Sequence, residues 1–222
     1  MESNFPPQQS YPQQGGPQQD YPLTFSVDYP DRELSRLTTF FRAFTVIPIA
    51  IILITVSGTQ LSGSSGDSST YIAMAGGLLF FPPLLMLLFQ KKYPAWWSDW
   101  NRELLRFINR VGVYFYLLDD TYPSTDEQQS VHLDFATPNG EELSRGLPLV
   151  KWLLAIPHYI VLFFLHIAAF FVTVFAWFAI LFTGRYPQGA FEFVEGVFRW
   201  TNRVIAYMAI LVTDEYPPFS TK

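Results

Sequence analysis

Residues 147–187 of the chain read LPLVKWLLAIPHYIVLFFLHIAAFFVTVFAWFAILFTGRYP, and this stretch decides the fold class. Its first 36 positions, 147 to 182, form a nearly unbroken apolar run. As one helix the run would be about 54 Å long, whereas about 20 residues suffice to cross a bilayer. We therefore expect two short membrane crossings here, with a turn near His166.

The composition of the whole chain indicates a membrane protein. Half of the 222 residues are hydrophobic and 15% are charged, against about a quarter charged in an average globular domain. The absence of cysteine excludes disulfides, thiolate nucleophiles and cysteine-bound metal clusters. The net charge of -5 gives no indication of nucleic-acid binding.

The first half of the chain shows a tail, two apolar segments and an amphipathic segment. Residues 1–22 are rich in Gln and Pro and poor in aliphatic side chains, so we expect a disordered tail. Membrane helices are predicted at 37–56 and 71–90. Residues 93–123 then carry apolar side chains at steps of three and four, with tryptophan among them. This pattern favours a helix lying in the membrane interface, and the alternative is an amphipathic helix packed on a protein partner.

The second half of the chain repeats the first in the same order. The motif ELSR at 33–36 returns at 142–145, and Ile-Pro at 47–48 returns at 156–157, both at an offset of 109 positions. The later motifs return at an offset of 93, and among them Arg106, Asn109 and Arg110 match Arg199, Asn202 and Arg203. We therefore divide the chain into the tail 1–22, repeat one at 23–125 and repeat two at 126–222.

Each repeat opens with a short segment of alternating apolar residues, at 23–27 and 131–135. Period two predicts a strand, and the two strands could pair across a pseudo-twofold axis. None of the 14 basic residues lies in 57–70, so four crossings place all of them on the cytoplasmic side. The prediction is an all-α membrane protein of two parallel repeats, each a transmembrane helical hairpin followed by an amphipathic interfacial helix. Both termini are expected in the cytoplasm.

Several motifs of the second repeat resemble a bacterial integral-membrane family known only as domain of unknown function four-three-eight-nine. They are Ile156-Pro157-His158, Ala176-Trp177-Phe178, Thr183-Gly184-Arg185-Tyr186-Pro187, Arg199-Trp200 and the closing Thr213-Asp214-Glu215-Tyr216-Pro217-Pro218-Phe219. The resemblance extends in weaker form to the first repeat, and so suggests two tandem copies. It implies a location in the bacterial cytoplasmic membrane and no particular activity.

The candidate contact residues for lipid or a partner are cationic and tryptophan side chains: Arg106, Arg110, Arg199, Arg203, Trp97, Trp100 and Trp200. Paired arginines at four-residue spacing suit anionic headgroups, and tryptophan suits the interface. The alternative for the arginines is pairing along the helix with Glu103 and Glu195. The acids Asp119, Asp120, Asp214 and Glu215 are expected to pair with Arg110 and Arg203, which lie beside them in the two repeats. His158 and His166 are expected to be hydrogen-bonded or interfacial.

No catalytic, cofactor or metal motif is apparent in the sequence, so we expect neither an enzyme nor a bound cofactor. The first hypothesis is a non-enzymatic accessory or scaffold subunit of a larger membrane assembly, because aromatic helices offer large contact areas. Its partners would be other membrane subunits and anionic lipids, and it could form an oligomer. The second hypothesis is a small lipid-handling or transport protein built on a parallel repeat.

Overall fold

The computed structural model describes residues 21–57, 86, 89–90, 93–125 and 127–222. Most of the predicted tail, the loop after residue 57 and nearly all of the predicted membrane helix 71–90 lie outside these ranges. The predictions made for those segments therefore stay predictions, and so do the boundaries of the two repeats.

The two predicted strands form and pair. Strand β1, Leu23–Val27, lies antiparallel to strand β2, Val131–Phe135. Leu23 is opposite Phe135 and Val27 is opposite Val131. Alternate side chains of both strands are buried, as period two requires. The sheet joins segments more than a hundred positions apart, which confirms the predicted pairing.

Two helices of the first half follow the predictions closely in position. Helix α1, Arg36–Ser57, contains Pro48 in its interior, and helix α2 is Ala95–Phe115. The apolar side of α2 is covered by β2 and α1, with Leu105, Phe107 and Val111 buried. The alternative of an amphipathic helix packed on a partner therefore describes α2 within the chain, and the interfacial location predicted for this helix stays a prediction.

The apolar run that begins at 147 is not a hairpin. After a 3₁₀ turn, Leu147–Leu149, and the short helix α3, Lys151–Leu154, the chain forms one helix α4, Ile156–Thr183. His166 lies in the middle of α4, so the predicted turn there is wrong. No Gly or Pro occurs between His158 and Thr183 to interrupt the hydrogen bonding, and Gly184 ends the helix at a φ of 75°.

Helix α5, Gln188–Ile205, follows α4 after a four-residue connection and continues into a π-helical turn, Ala206–Ile210. The contacts between elements give three layers. The sheet packs on α2 and α5, and these two helices pack in turn on α1 and α4. The main hydrophobic core lies between the layers, with Phe25, Val113, Leu133, Ala176 and Val194 among its buried side chains.

Candidate functional site

A polar cluster formed by Arg106, Asn109, Arg199 and Asn202 lies where α2 and α5 meet the sheet and each other, and we call it the central polar cluster. Arg106 Nε donates to the Leu133 carbonyl at 2.8 Å, and Arg199 Nε donates to the Phe25 carbonyl at 3.0 Å. Leu133 and Phe25 are paired residues of the sheet. The arginine on the helix of each repeat therefore binds the strand that opens the other repeat. It does so at the edge of that strand that faces away from the partner strand.

The two asparagines of this cluster join α2 to α5. Asn109 Nδ2 donates to Asn202 Oδ1 at 2.8 Å, and Asn202 Nδ2 donates to Asn109 Oδ1 at 2.7 Å. Both side chains are buried. A reciprocal amide pair in an apolar interface fixes the register of two helices, because any slip leaves buried polar groups without partners.

Each half also contains a buried cation that binds the segment following the last helix of that half, and the two sites are equivalent. Lys151 Nζ donates to the Thr213 carbonyl at 2.6 Å, contacts Asp214 Oδ1 at 2.7 Å and lies 5.0 Å from the centre of the Tyr207 ring. In the first half, Arg42 donates to the Asp119 carbonyl at 2.8 Å and lies 4.0 Å from the centre of the Tyr114 ring. We call these the Lys151 and Arg42 clusters.

The acids of these clusters have shifted pKa values. Burial alone would raise the pKa of Asp214, but hydrogen bonds from Lys151 and from the Ser144 backbone outweigh it, so that pKa lies below its ordinary value. Burial likewise opposes ionisation of Asp119, and donors from Ser130, Thr121 and the Asp120 backbone lower its pKa nevertheless. Burial lowers the pKa of the Lys151 ammonium against the attraction of Asp214.

The predicted contact arginines are directed into the protein. Arg106 and Arg199 form salt bridges with Glu103 and Glu195 at 2.7 and 2.6 Å, which was the alternative weighed for them. The remaining two are buried, and each donates to the chain segment that follows its own helix: Arg110 binds the Ser124 carbonyl at 2.8 Å, and Arg203 binds the Ser220 carbonyl at 3.5 Å. Their contact with lipid or a partner stays a prediction.

The candidate tryptophans divide into two kinds. Trp100 is 47% exposed, as a surface anchor requires, whereas Trp97 and Trp200 are 6% and 5% exposed. These two are covered by the rest of the chain, and the contact of all three tryptophans with lipid or a partner stays a prediction. Helical period alone places several tryptophans near one stripe and does not distinguish the side chains that other elements cover.

His158 is one of the hydrogen-bonded histidines that the sequence predicted. It is fully buried, accepts a hydrogen bond from Trp200 Nε1 at 3.0 Å and stacks on Phe219 with ring centres 4.1 Å apart. His166 hydrogen-bonds through Nδ1 to the Leu162 carbonyl at 2.8 Å, within its own helix. Each histidine ring therefore has its own hydrogen-bond partner.

The acids do not pair as expected. Asp119 and Asp120 contact Arg32, and Asp214 contacts Lys151, in place of the predicted Arg110 and Arg203. Beside Arg32 lies an open hollow of about 460 Å³ whose lining includes Asp28, Asp31 and Glu127. Among the residues that the structure describes, no group of three His, Asp or Glu side chains could hold a metal ion.

The sequence analysis did not assign a role to Arg42 or Lys151. The signal was available, because the two cations occupy equivalent positions in the two halves and each lies inside an apolar segment. A cation that recurs at such a position needs a buried partner. Its acceptors, the carbonyls of residues 119 and 213, could not be named without the fold.

Helix α4 is the one helix in the described part of the chain that is long and apolar enough to cross a membrane. Only 17% of its most apolar window is buried inside the molecule. Its phenylalanines face outward, among them Phe163, Phe171, Phe175 and Phe182. An exposed apolar face of this extent marks a surface for a membrane or another protein.

The comparison with protein families concerns the second half of the chain. Residues 148–221 match the family described as Domain of unknown function (DUF4389). The resemblance stated from the sequence motifs is thus confirmed for this segment, which contains α3, α4, α5 and the tail after them. No curated protein and no solved structure matches the chain.

Proposed function

We propose that the chain is a non-enzymatic accessory or scaffold subunit of a larger membrane assembly. The observation that supports this proposal is the contrast between the two outer layers. Helix α4 presents an apolar face, and the sheet presents polar side chains on the opposite side of α5. The central polar cluster between them joins helices to strands through bonds within the chain, which suits a rigid body.

We further propose that residues 23–125 and 126–222 are two tandem copies of the DUF4389 unit. Residues at the offset of 93 make equivalent contacts, as in the binding of strand carbonyls by Arg106 and Arg199. Beyond these helices, Leu117 and Leu211 adopt positive φ values of 66° and 63° at an offset of 94, which is also the offset between Tyr122-Pro123 and Tyr216-Pro217. Unrelated segments would have no reason to share such contacts.

The proposed location is the bacterial cytoplasmic membrane with both termini in the cytoplasm, and the proposed partners are membrane subunits and anionic lipid. None of the 14 basic residues lies in 57–70, the loop between the two predicted membrane helices of the first half, and this distribution supports the orientation. The crossing expected of the hairpin of the first half stays a prediction of the sequence, since its second helix falls outside the described residues.

A lipid-handling protein is the second candidate. The observation that favours it is the row of exposed phenylalanines on α4, which could hold acyl chains as well as a protein surface. The two candidates differ in what the purified protein carries. A scaffold carries other subunits in fixed ratio, whereas a lipid-handling protein carries lipid and no other chain.

The test is purification from membranes in a mild detergent, followed by native mass spectrometry. The affinity tag belongs at the N-terminus, because the carbonyls of Ser220 and Thr221 bind arginines at the other end. The scaffold proposal expects a second protein at a fixed ratio, absent from an untagged control strain. A single chain or small homo-oligomer with bound phospholipid would favour the second candidate, and recovery of the chain alone without lipid would contradict both.

A further inference from the structure

The outward surface of α4 is apolar from Ile160 to Phe182, apart from the half-buried His166. Between Ile160 and Phe182 every exposed side chain is aliphatic or aromatic. The buried side chains follow one narrow stripe: His158, Leu162, Ala169, Thr173, Ala176 and Ile180. At 1.5 Å per residue, the 28 residues of α4 make a helix of about 42 Å. This length exceeds the roughly 30 Å of a hydrocarbon core.

Helix α5 runs antiparallel to α4 and packs on this stripe of buried side chains. At one end, the four residues 184–187 join the two helices. At the other end, Trp200 of α5 contacts His158 near the start of α4. The two helices are therefore antiparallel neighbours, and the 18 residues of α5 cover about 27 Å of the length of α4.

Strand β1 lies along the other side of α5. Tyr21, just before the strand, donates to the Arg203 carbonyl at 3.2 Å, and Tyr29, just after it, packs on Phe191 with ring centres 5.0 Å apart. The strand therefore extends along α5 from its last turn to its first, parallel to α4. The outward side chains of the sheet are polar and exposed: Thr24, Ser26, Asp28, His132 and Asp134.

This arrangement decides between two orientations of α4 in a membrane. If α4 crossed the bilayer, the sheet beside it would stand at hydrocarbon depth, where each charged side chain costs about 2.5–3.5 kcal/mol on insertion scales. Asp28 and Asp134 would face lipid, and so would much of the sheet. If α4 lies parallel to the membrane plane, its phenylalanines enter the acyl region and the sheet remains in water.

We propose that α4 lies flat in one leaflet of the bilayer and does not cross it, so that the chain binds the lipid surface through the outward phenylalanines of this helix. The inference rests on the membrane location given in the proposed function. The apolar surface continues onto α1, since Trp177 of α4 donates to the Thr39 carbonyl at 3.1 Å and contacts the ring of Phe40. Interfacial helices of this kind enter the membrane by about 5–10 Å.

The first test uses the absence of native cysteine. The variants Gly146→Cys and Gly189→Cys place one thiol before and one after α4, at positions with no atom within 4 Å of an added Cβ. A membrane-impermeant maleimide is applied to intact spheroplasts and to inside-out vesicles. A flat helix gives labelling of both thiols from the same side, and labelling from opposite sides would overturn the inference.

The second test measures depth, because a membrane hairpin would also place both ends on one side. Spin labels at Phe163→Cys, Phe171→Cys and Phe182→Cys occupy three exposed positions along α4. In vesicles of phosphatidylethanolamine and phosphatidylglycerol, a flat helix gives similar depths at all three positions, from the ratio of oxygen to nickel-chelate accessibility. A depth at Phe171 greater than at both other positions by more than about 10 Å refutes the flat orientation.

The membrane location itself is tested separately by sedimentation of the unlabelled chain with washed membranes. Sedimentation together with opposite-side labelling refutes only the flat orientation. Recovery of the chain in the soluble fraction would contradict the proposed membrane location, and with it the flat orientation.

Discussion

The pair His158 and Trp200 offers the sharpest test of the side-chain packing, because the first half supplies an apolar version of it. At the equivalent positions 49 and 107, Ile49 and Phe107 are buried together in one cluster. We therefore consider His158→Ile, Trp200→Phe and the double variant. Each single change leaves one polar atom of a buried hydrogen bond without its partner, whereas the double change recreates the apolar pair.

The expected magnitudes follow from this burial. His158 is 0% exposed and Trp200 is 5% exposed, so each single variant should lose about 1–3 kcal/mol of the free energy of unfolding. The double variant should be more stable than the sum of the two losses by about 1–2 kcal/mol. The assay is reversible unfolding by a detergent titration, followed by circular dichroism. Losses that add to within about 0.5 kcal/mol would refute the reasoning, because independent sites add in that way.

Two further predictions concern charge and close packing. Asp119 and Asp214 have pKa values below the ordinary 3.8; their stabilisation is therefore complete above that pH and is lost as the pH falls through the folded-state values. The free energy of unfolding should be lower at about pH 2.5 than at about pH 5, and Asp214→Asn should reduce that difference. Equal free energies at the two pH values would contradict the prediction. Gly112→Ala should destabilise by about 1–3 kcal/mol in thermal unfolding, because the new Cβ would lie 2.5 Å from the Phe198 ring, unlike the open control Gly189→Ala. Equal melting temperatures of these two variants would contradict that contact.

The sequence predicted the positions of helices and strands better than it predicted what packs against them. Period two in residues 23–27 and 131–135 predicted strands, and a sheet forms because each exposes a row of backbone groups that the other can pair. The run 147–182 was misjudged because its length was weighed against bilayer thickness. The absence of a helix breaker after Pro157 was the better guide.

The candidate site shows a different limit. Arginines at four-residue spacing look alike whether lipid, water or a strand covers them, so Arg106 and Arg199 could be chosen from the sequence but not oriented. Asn109 and Asn202 lie among these arginines in the repeat, so the sequence pattern did not distinguish them from the polar face of a helix. The reciprocal pairing of the asparagines and the binding of the opposite strand by each arginine depend on the three-dimensional arrangement.

The crossed binding of strands has a consequence for synthesis on the ribosome. Strand β1 emerges first, yet its partner is completed only at Phe135, and the arginine that binds the Phe25 carbonyl is residue 199. Because domains form as their segments emerge, β1 has no partner strand until Phe135 has been made, and its outer edge is bound only after Arg199 has been made. Neither half binds the outer edge of its own strand. Truncation before residue 199 therefore leaves the outer edge of β1 open to pairing with other chains.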